Sequence, residues 1–201
     1  IIDNDLHIAS EYEIYAPSNS SNMFEDFEKV ESIDFLNFNT MDVTSMNYMF
    51  SRCFSLISLD LSNFDTSNVK SMDGMFLWCS SLTNLGLSDF NTSNVENMKE
   101  MFRGCSRLAS LDLSNFNTQK TTNMDSMFSD CSSLTALSLK SFNTSSVTNM
   151  NNMFNLCRNL TSLDLSDFNT SKVTDMSRMF AFCEKLVTLN LSNFDTSNVK
   201  N

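Results

Sequence analysis

Six cysteines, at 53, 79, 105, 131, 157 and 183, are the side chains of this 201-residue chain best suited to chemistry, and each follows the last by 26 residues. Thiols so placed have three uses. A disulfide needs a narrow range of Cα separation and Cβ direction, which a regular ladder does not supply by itself. A zinc site needs paired ligands of the Cys-x-x-Cys kind, and the sequence has none. The third use is packing. Phe27 stands at the equivalent place in an earlier, partial copy, so the position reads as apolar core and the cysteines as buried free thiols. Nucleophilic catalysis finds no base within the repeats, because the one histidine, His7, precedes them and no Cys–His or Ser–His pair can form there. Three glycines are too few for a phosphate-cradling loop. The chain therefore reads as non-catalytic, without cofactor or metal.

Carboxylates form the next constellation. Asp34, Asp60, Asp112 and Asp164 share one position in successive units, with Gly86, Ser138 and Asn190 filling it elsewhere. One carboxylate per unit falls short of the roughly six to eight converging oxygens of a calcium site. The row is expected on an exposed strand face, as solvated surface or as an acidic strip for a basic partner. An Asn/Asp-Thr pair recurs from Asn39-Thr40 to Asp195-Thr196; it is expected to satisfy backbone groups at each turn and to bond along a stack. Positions that the repeat does not dictate say more about binding. Tyr48, Phe54, Leu77 and Trp78 are large apolar residues outside the core pattern, with Phe182 further along. They read either as an exposed contact patch on the helical side or as surface covered by residues 1–22, which carry Ile8, Tyr12, Ile14 and Tyr15.

Stepwise recurrence fixes the elements that must position these groups. Phe recurs at 38, 64, 90, 116, 142, 168 and 194 with the same step as Cys, and no insertion disturbs the register. Within the unit 56–81, Leu56, Leu59 and Leu61 follow the LxxLxL pattern, which predicts a short strand. Phe64 points inward and Asp65-Thr66-Ser67-Asn68 makes a polar turn. Apolar residues at 69, 72, 75, 76 and 79 step by three and four, which predicts a short helix over about 70–79 with Thr66 or Ser67 near its cap. The expected fold class is α/β: a leucine-rich-repeat-type solenoid of 26-residue coils, each with a short parallel strand in one continuous sheet and a short helix. The Phe and Met columns fill the space between sheet and helices. Residues 1–22 read as an N-terminal cap or linker. The solenoid occupies 23–201, with a partial copy over 23–29, full units over 30–185 (the first divergent) and a partial unit over 186–201.

Net charge is −11, which disfavours nucleic acid and anionic membranes as partners, since both reward clustered Lys and Arg. No apolar run approaches the roughly 18–20 residues of a membrane span, and the start, Ile1-Ile2-Asp3, shows no signal-peptide pattern. Ending partway through a unit, the chain reads as a fragment of something longer.

Units of the form LxxLDLSNFDTSNVxxMxxMFxxC, over residues 23–201, resemble the BspA-like leucine-rich-repeat surface proteins, in the subgroup of mycoplasma-type lipoprotein repeats. That resemblance implies a surface-exposed or secreted protein of a host-associated microbe, acting in adhesion or in binding host components. The expected role is an extracellular binding module that presents an extended repeat face to a host or microbial surface protein or glycan, through modest, multivalent contacts. The alternative is a stalk that projects another domain. Its last coil, Leu186–Asn201, would expose a strand edge and associate end to end.

Overall fold

Alternate apolar residues cannot bury themselves within one 26-residue unit, so the units stack. A computed structural model, which describes residues 4–201, shows a solenoid of parallel coils. Among the described residues eight short strands occur: β1 (Asp5–Ile8), β2 (Ile14–Tyr15), β3 (Ser32–Phe35), β4 (Phe38–Asn39), β5 (Ser58–Asp60), β6 (Asn84–Gly86), β7 (Ser162–Asp164) and β8 (Thr188–Asn190). All pair in parallel, β1 with β3, β2 with β4, β5 with β6 and β7 with β8. The register sets Leu59 beside Leu85 and Leu163 beside Leu189, the equivalence read from the 26-residue step. Residues 4–29 make a coil of their own: β1 lies on β3, and Ser20, Asn22, Phe24 and Asp26 donate backbone N–H groups to Ser45, Asn47, Met49 and Ser51.

The core is a set of columns. Leu56, Leu59, Leu61, Phe64, Met72, Met75, Phe76 and Cys79 are all buried. Phe50, Phe76, Phe102 and Phe128 stack with centroids 5.7–5.8 Å apart and planes within 9° of parallel. Offset-stacked rings of this size contribute about 1.5–3 kcal/mol each by burial alone.

Two expectations are corrected. The span 70–79 holds no helix, nor does any other stretch among the described residues. It is a chain of turns instead: Met75 N–H bonds Met72 O, Leu77 bonds Gly74 and Cys79 bonds Phe76. Alternate amides point to the next coil, Met72 to Asn97, Gly74 to Lys99, Phe76 to Met101 and Trp78 to Arg103. An α-helix would need those same donors internally. Side-chain oxygens tip the balance: in 70–79 Asn47 Oδ1 of the preceding coil accepts Asp73 N–H at 3.0 Å, and in later coils Asn97, Asn123, Asn149 and Asp175 each accept the N–H two residues on. This local bond competes directly with helix. Left-handed φ values at Tyr48, Arg52, Trp78 and Glu100 close the turns. Apolar steps of three and four thus describe stacked turns as well as they describe a helix.

Nor is the sheet continuous. No backbone hydrogen bond joins residues 110–113 to 84–87 or to 136–139. The strand side is paired in short pieces with open joints between them.

Candidate binding surface

Cysteine chemistry resolves first. Cys53, Cys79, Cys105, Cys131 and Cys157 are buried, Cys183 is half-buried, and all are free. Each thiol donates to a phenylalanine carbonyl of the preceding coil, Cys79 to Phe50 O at 3.1 Å and Cys131 to Phe102 O at 3.1 Å. Burial pushes the Cys105 thiol up to about 12, which removes the thiolate that reactivity requires. The thiols are packing groups with one useful hydrogen bond. Among the described residues no group of His, Cys, Asp or Glu is arranged to hold a metal.

The Asn/Asp-Thr column bonds along the stack as expected. Thr66, Thr92, Thr118, Thr144 and Thr170 are buried. Thr118 Oγ1 donates to Asn143 O at 2.9 Å, while Asn117 N–H donates to Thr92 Oγ1 at 2.8 Å. Thr92 Oγ1 also donates to Asn117 O at 3.0 Å, so one hydroxyl makes both bonds to the next coil. The neighbouring Asp65, Asn91 and Asn169 accept the N–H two residues on.

Asp34, Asp60, Asp112 and Asp164 are exposed in one column of the strand side. Asp60, Asp112 and Asp164 accept the backbone N–H of Ser62, Ser114 and Ser166 at 3.0–3.1 Å. Bonds to the backbone and hydroxyl of these serines, the backbone first at Asp60 and Asp112 and the hydroxyl first at Asp164, hold the three carboxyls below their ordinary range. Asp34 instead faces His7 Nδ1 of β1 at 3.6 Å. Small exposed neighbours, Ser58, Gly86 and Ala136 among them, surround the row. Shallow depressions of about 250, 400 and 310 Å³ follow one another here, past Asp60, Asp112 and Asp164 respectively. Such a row suits an extended partner better than one small molecule.

Tyr48, Phe54, Leu77 and Trp78 lie on the turn side in different columns. A Cβ at Gly74 would meet the Tyr48 ring at 2.3 Å, and one at Gly104 would meet the Trp78 ring at 2.3 Å. Each ring thus lies against a glycine of the following coil, and both are half-buried. Arg103 covers Trp78, 5.8 Å from its centroid. Burial first, then the carboxylates of Asp73 and Glu100, pushes Tyr48 up to about 12. Leu77 is half-buried and Phe54 is 36% exposed.

Sequence reasoning missed two features. Charge is segregated from residue 30 onward: the strand-side segments, residues 30–40 and their later equivalents every 26, hold nine carboxylates against one cation, Lys140. The turn-side segments, residues 41–55 and their later equivalents, hold eleven cations and eight carboxylates. Sorting the sequence by position in the unit, instead of along the chain, reveals this. The second feature is a pair of exposed apolar residues, Leu36 and Met41, in the divergent first unit. Both depart from the polar residues of later units, Ser62 and Ser67 among them, and it is their exposure that only the fold reveals.

A family model described as "Mycoplasma protein of unknown function, DUF285" matches residues 18–137 and 107–201. No curated protein matches. Among solved structures, a T. pallidum leucine-rich repeat protein, TpLRR, is 16% identical with a TM-score of 0.42, covering 94% of this chain and 69% of its own. A leucine-rich repeat protein from Bacteroides ovatus ATCC 8483 is 17% identical with a TM-score of 0.28, covering 92% and 64%.

Proposed function

This chain belongs to the DUF285 family, and from that premise we propose that it is a non-catalytic binding module, displayed at a cell surface or secreted, whose strand side engages an extended partner. The observation that carries this reading is the charge segregation: the strand-side segments concentrate carboxylates around a row of shallow depressions. Asx bonds keep three of those carboxylates ionised, so the strip stays negative across the physiological range. Its partner is a host or microbial surface protein, or a glycan bearing cationic groups, bound by contacts repeated from coil to coil.

An array of matrix proteins and glycans, probed with the wild type and with an Asp60→Ser/Asp112→Ser double variant, tests this. Saturable binding that weakens in the variant and with added salt is the expected result. Silence across the array from a folded protein would favour the stalk, a role suited by the uninterrupted turn-side hydrogen bonding from Met46 to Trp78 and beyond.

A further inference from the structure

Leu36 and Met41 break the repeat where other units are polar. The first position is Ser62, Ser88, Ser114, Lys140 and Ser166 in later units, and the second is Ser67, Ser93, Gln119, Ser145 and Ser171. Coil stacking does not call for a large apolar residue at either place. Yet Leu36 is 55% exposed and Met41 is 47% exposed. Both line a depression of about 520 Å³ with Glu13, Asn37, Asn39 and Asp65. It is larger than the three along the aspartate row, and no cation lines it.

Its acidic groups are set in place. Glu13, from the first coil, accepts from Tyr15 Oη at 2.6 Å and from Asn39 Nδ2 at 2.5 Å. Those bonds, Tyr15 first, hold its carboxyl below the usual range. Asp65 accepts Ser67 N–H at 2.9 Å and is lowered in the same way. Asn37 spends its amide N–H on Ser10 O at 2.9 Å, leaving its amide oxygen free to accept. Acceptors and carboxylates thus surround an apolar floor. A strongly hydrated ammonium uses only the charge of such a site. A guanidinium supplies a planar fork of donors for several acceptors, and its methylene stem packs on apolar walls.

We propose that this depression receives an arginine side chain of a basic partner peptide, its stem against Leu36 and Met41 and its guanidinium toward Glu13 and Asp65. The proposal rests on the strand side being a binding surface and assigns that surface a specific anchor in the divergent unit.

Fluorescence anisotropy with a short labelled arginine peptide, and with lysine and glutamine counterparts, tests it. The variants are Glu13→Gln, Leu36→Ser/Met41→Ser, which installs the residues other units carry, and Asp164→Ser as a distant control. Circular dichroism melts establish that each is folded. Saturable binding of the arginine peptide is expected, weaker for lysine and absent for glutamine. Glu13→Gln and Leu36→Ser/Met41→Ser should each weaken it by about tenfold, while Asp164→Ser stays within about twofold. No binding by the wild type would overturn the proposal, as would equal weakening by Asp164→Ser, which would mean diffuse attraction to the strip. If the array still shows binding sensitive to Asp60 and Asp112, the pocket alone has failed and the extended surface stands.

Discussion

The two sides of each coil share one sequence repeat and differ in how firmly they are tied to the next. On the turn side, backbone N–H groups of Met72, Gly74, Phe76 and Trp78 all reach the following coil, and the phenylalanines beneath them stack 5.7 Å apart. On the strand side, residues 110–113 and 136–139 share no backbone bond, and Phe116 and Phe142 are 6.3 Å apart. What ties the strand side at such joints is side chains. Asn115 Nδ2 shares itself among the carbonyls of Leu87, Ser88 and Phe90 at 2.8–3.0 Å, and Ser141 Oγ donates to Leu113 O. Order on one side frees the other, because a spine that holds the register lets the opposite surface vary in residue type and charge.

Substitutions can break or sharpen this contrast. Phe102→Ala, at the centre of the turn-side stack, should cost about 3–5 kcal/mol. Leu111→Ala, on the half-buried strand side, should cost about 2 kcal/mol or less. Urea midpoints at constant slope compare them, and equal losses would erase the distinction. Gly104→Ala places a Cβ 2.3 Å from the Trp78 ring at a φ of +76°, so it should cost about 1–3 kcal/mol. Trp78→Ala in the same chain should recover the steric share, leaving the backbone share, as a double-mutant cycle would show.

Alkaline titration probes the same spine. The folded thiol of Cys105 lies near 12, above its ordinary 9.0, so the native state holds its proton longer than the unfolded chain does. Its contribution is complete below 9.0 and is lost as pH rises through the window to about 12. Stability measured across that window should fall, and fall less in Cys105→Ala. Acid works oppositely at Asp60: its carboxyl is depressed by Ser62 from 3.8, so that small contribution is present above 3.8 and fades as pH drops through the folded value. Thr118→Val removes a buried inter-coil hydroxyl and should cost about 1–2 kcal/mol. The smallest effects belong to the strand-side ties. Asn115→Ala should cost about 1 kcal/mol. Asp167→Asn, which gives an exposed Asp position the donor that Asn115 has, should gain about 0.5 kcal/mol, read as a rise in melting temperature.

Much of this is legible in the amino-acid pattern. The 26-residue step gave the register, and the columns of Leu, Phe, Met and Cys gave the core, because burial demands the same residue at the same place in every coil. The cysteines and the Asn/Asp-Thr pair read correctly for the same reason. The helix did not, since a period near 3.6 is shared by stacked turns; the Asn or Asp before Met98, Met124, Met150 and Met176 carries a signal for turns that the unit 56–81, with Ser71 there, lacks. The open joints of the sheet were illegible because Leu111 and Leu137 match Leu59 and Leu163 in type, so the repeat pattern is the same at paired and unpaired coils. Leu36 and Met41 were readable as departures from the pattern, and only their exposure required the fold.

Amide hydrogen exchange, resolved by residue, tests the central contrast most directly. Slow exchange at Met72, Gly74, Phe76, Trp78 and their equivalents, beside fast exchange across 109–113 and 135–139, is the predicted result. Equal protection on both sides would mean a continuous strand-side ladder, and would contradict the account of a hydrogen-bonded spine carrying an open binding face.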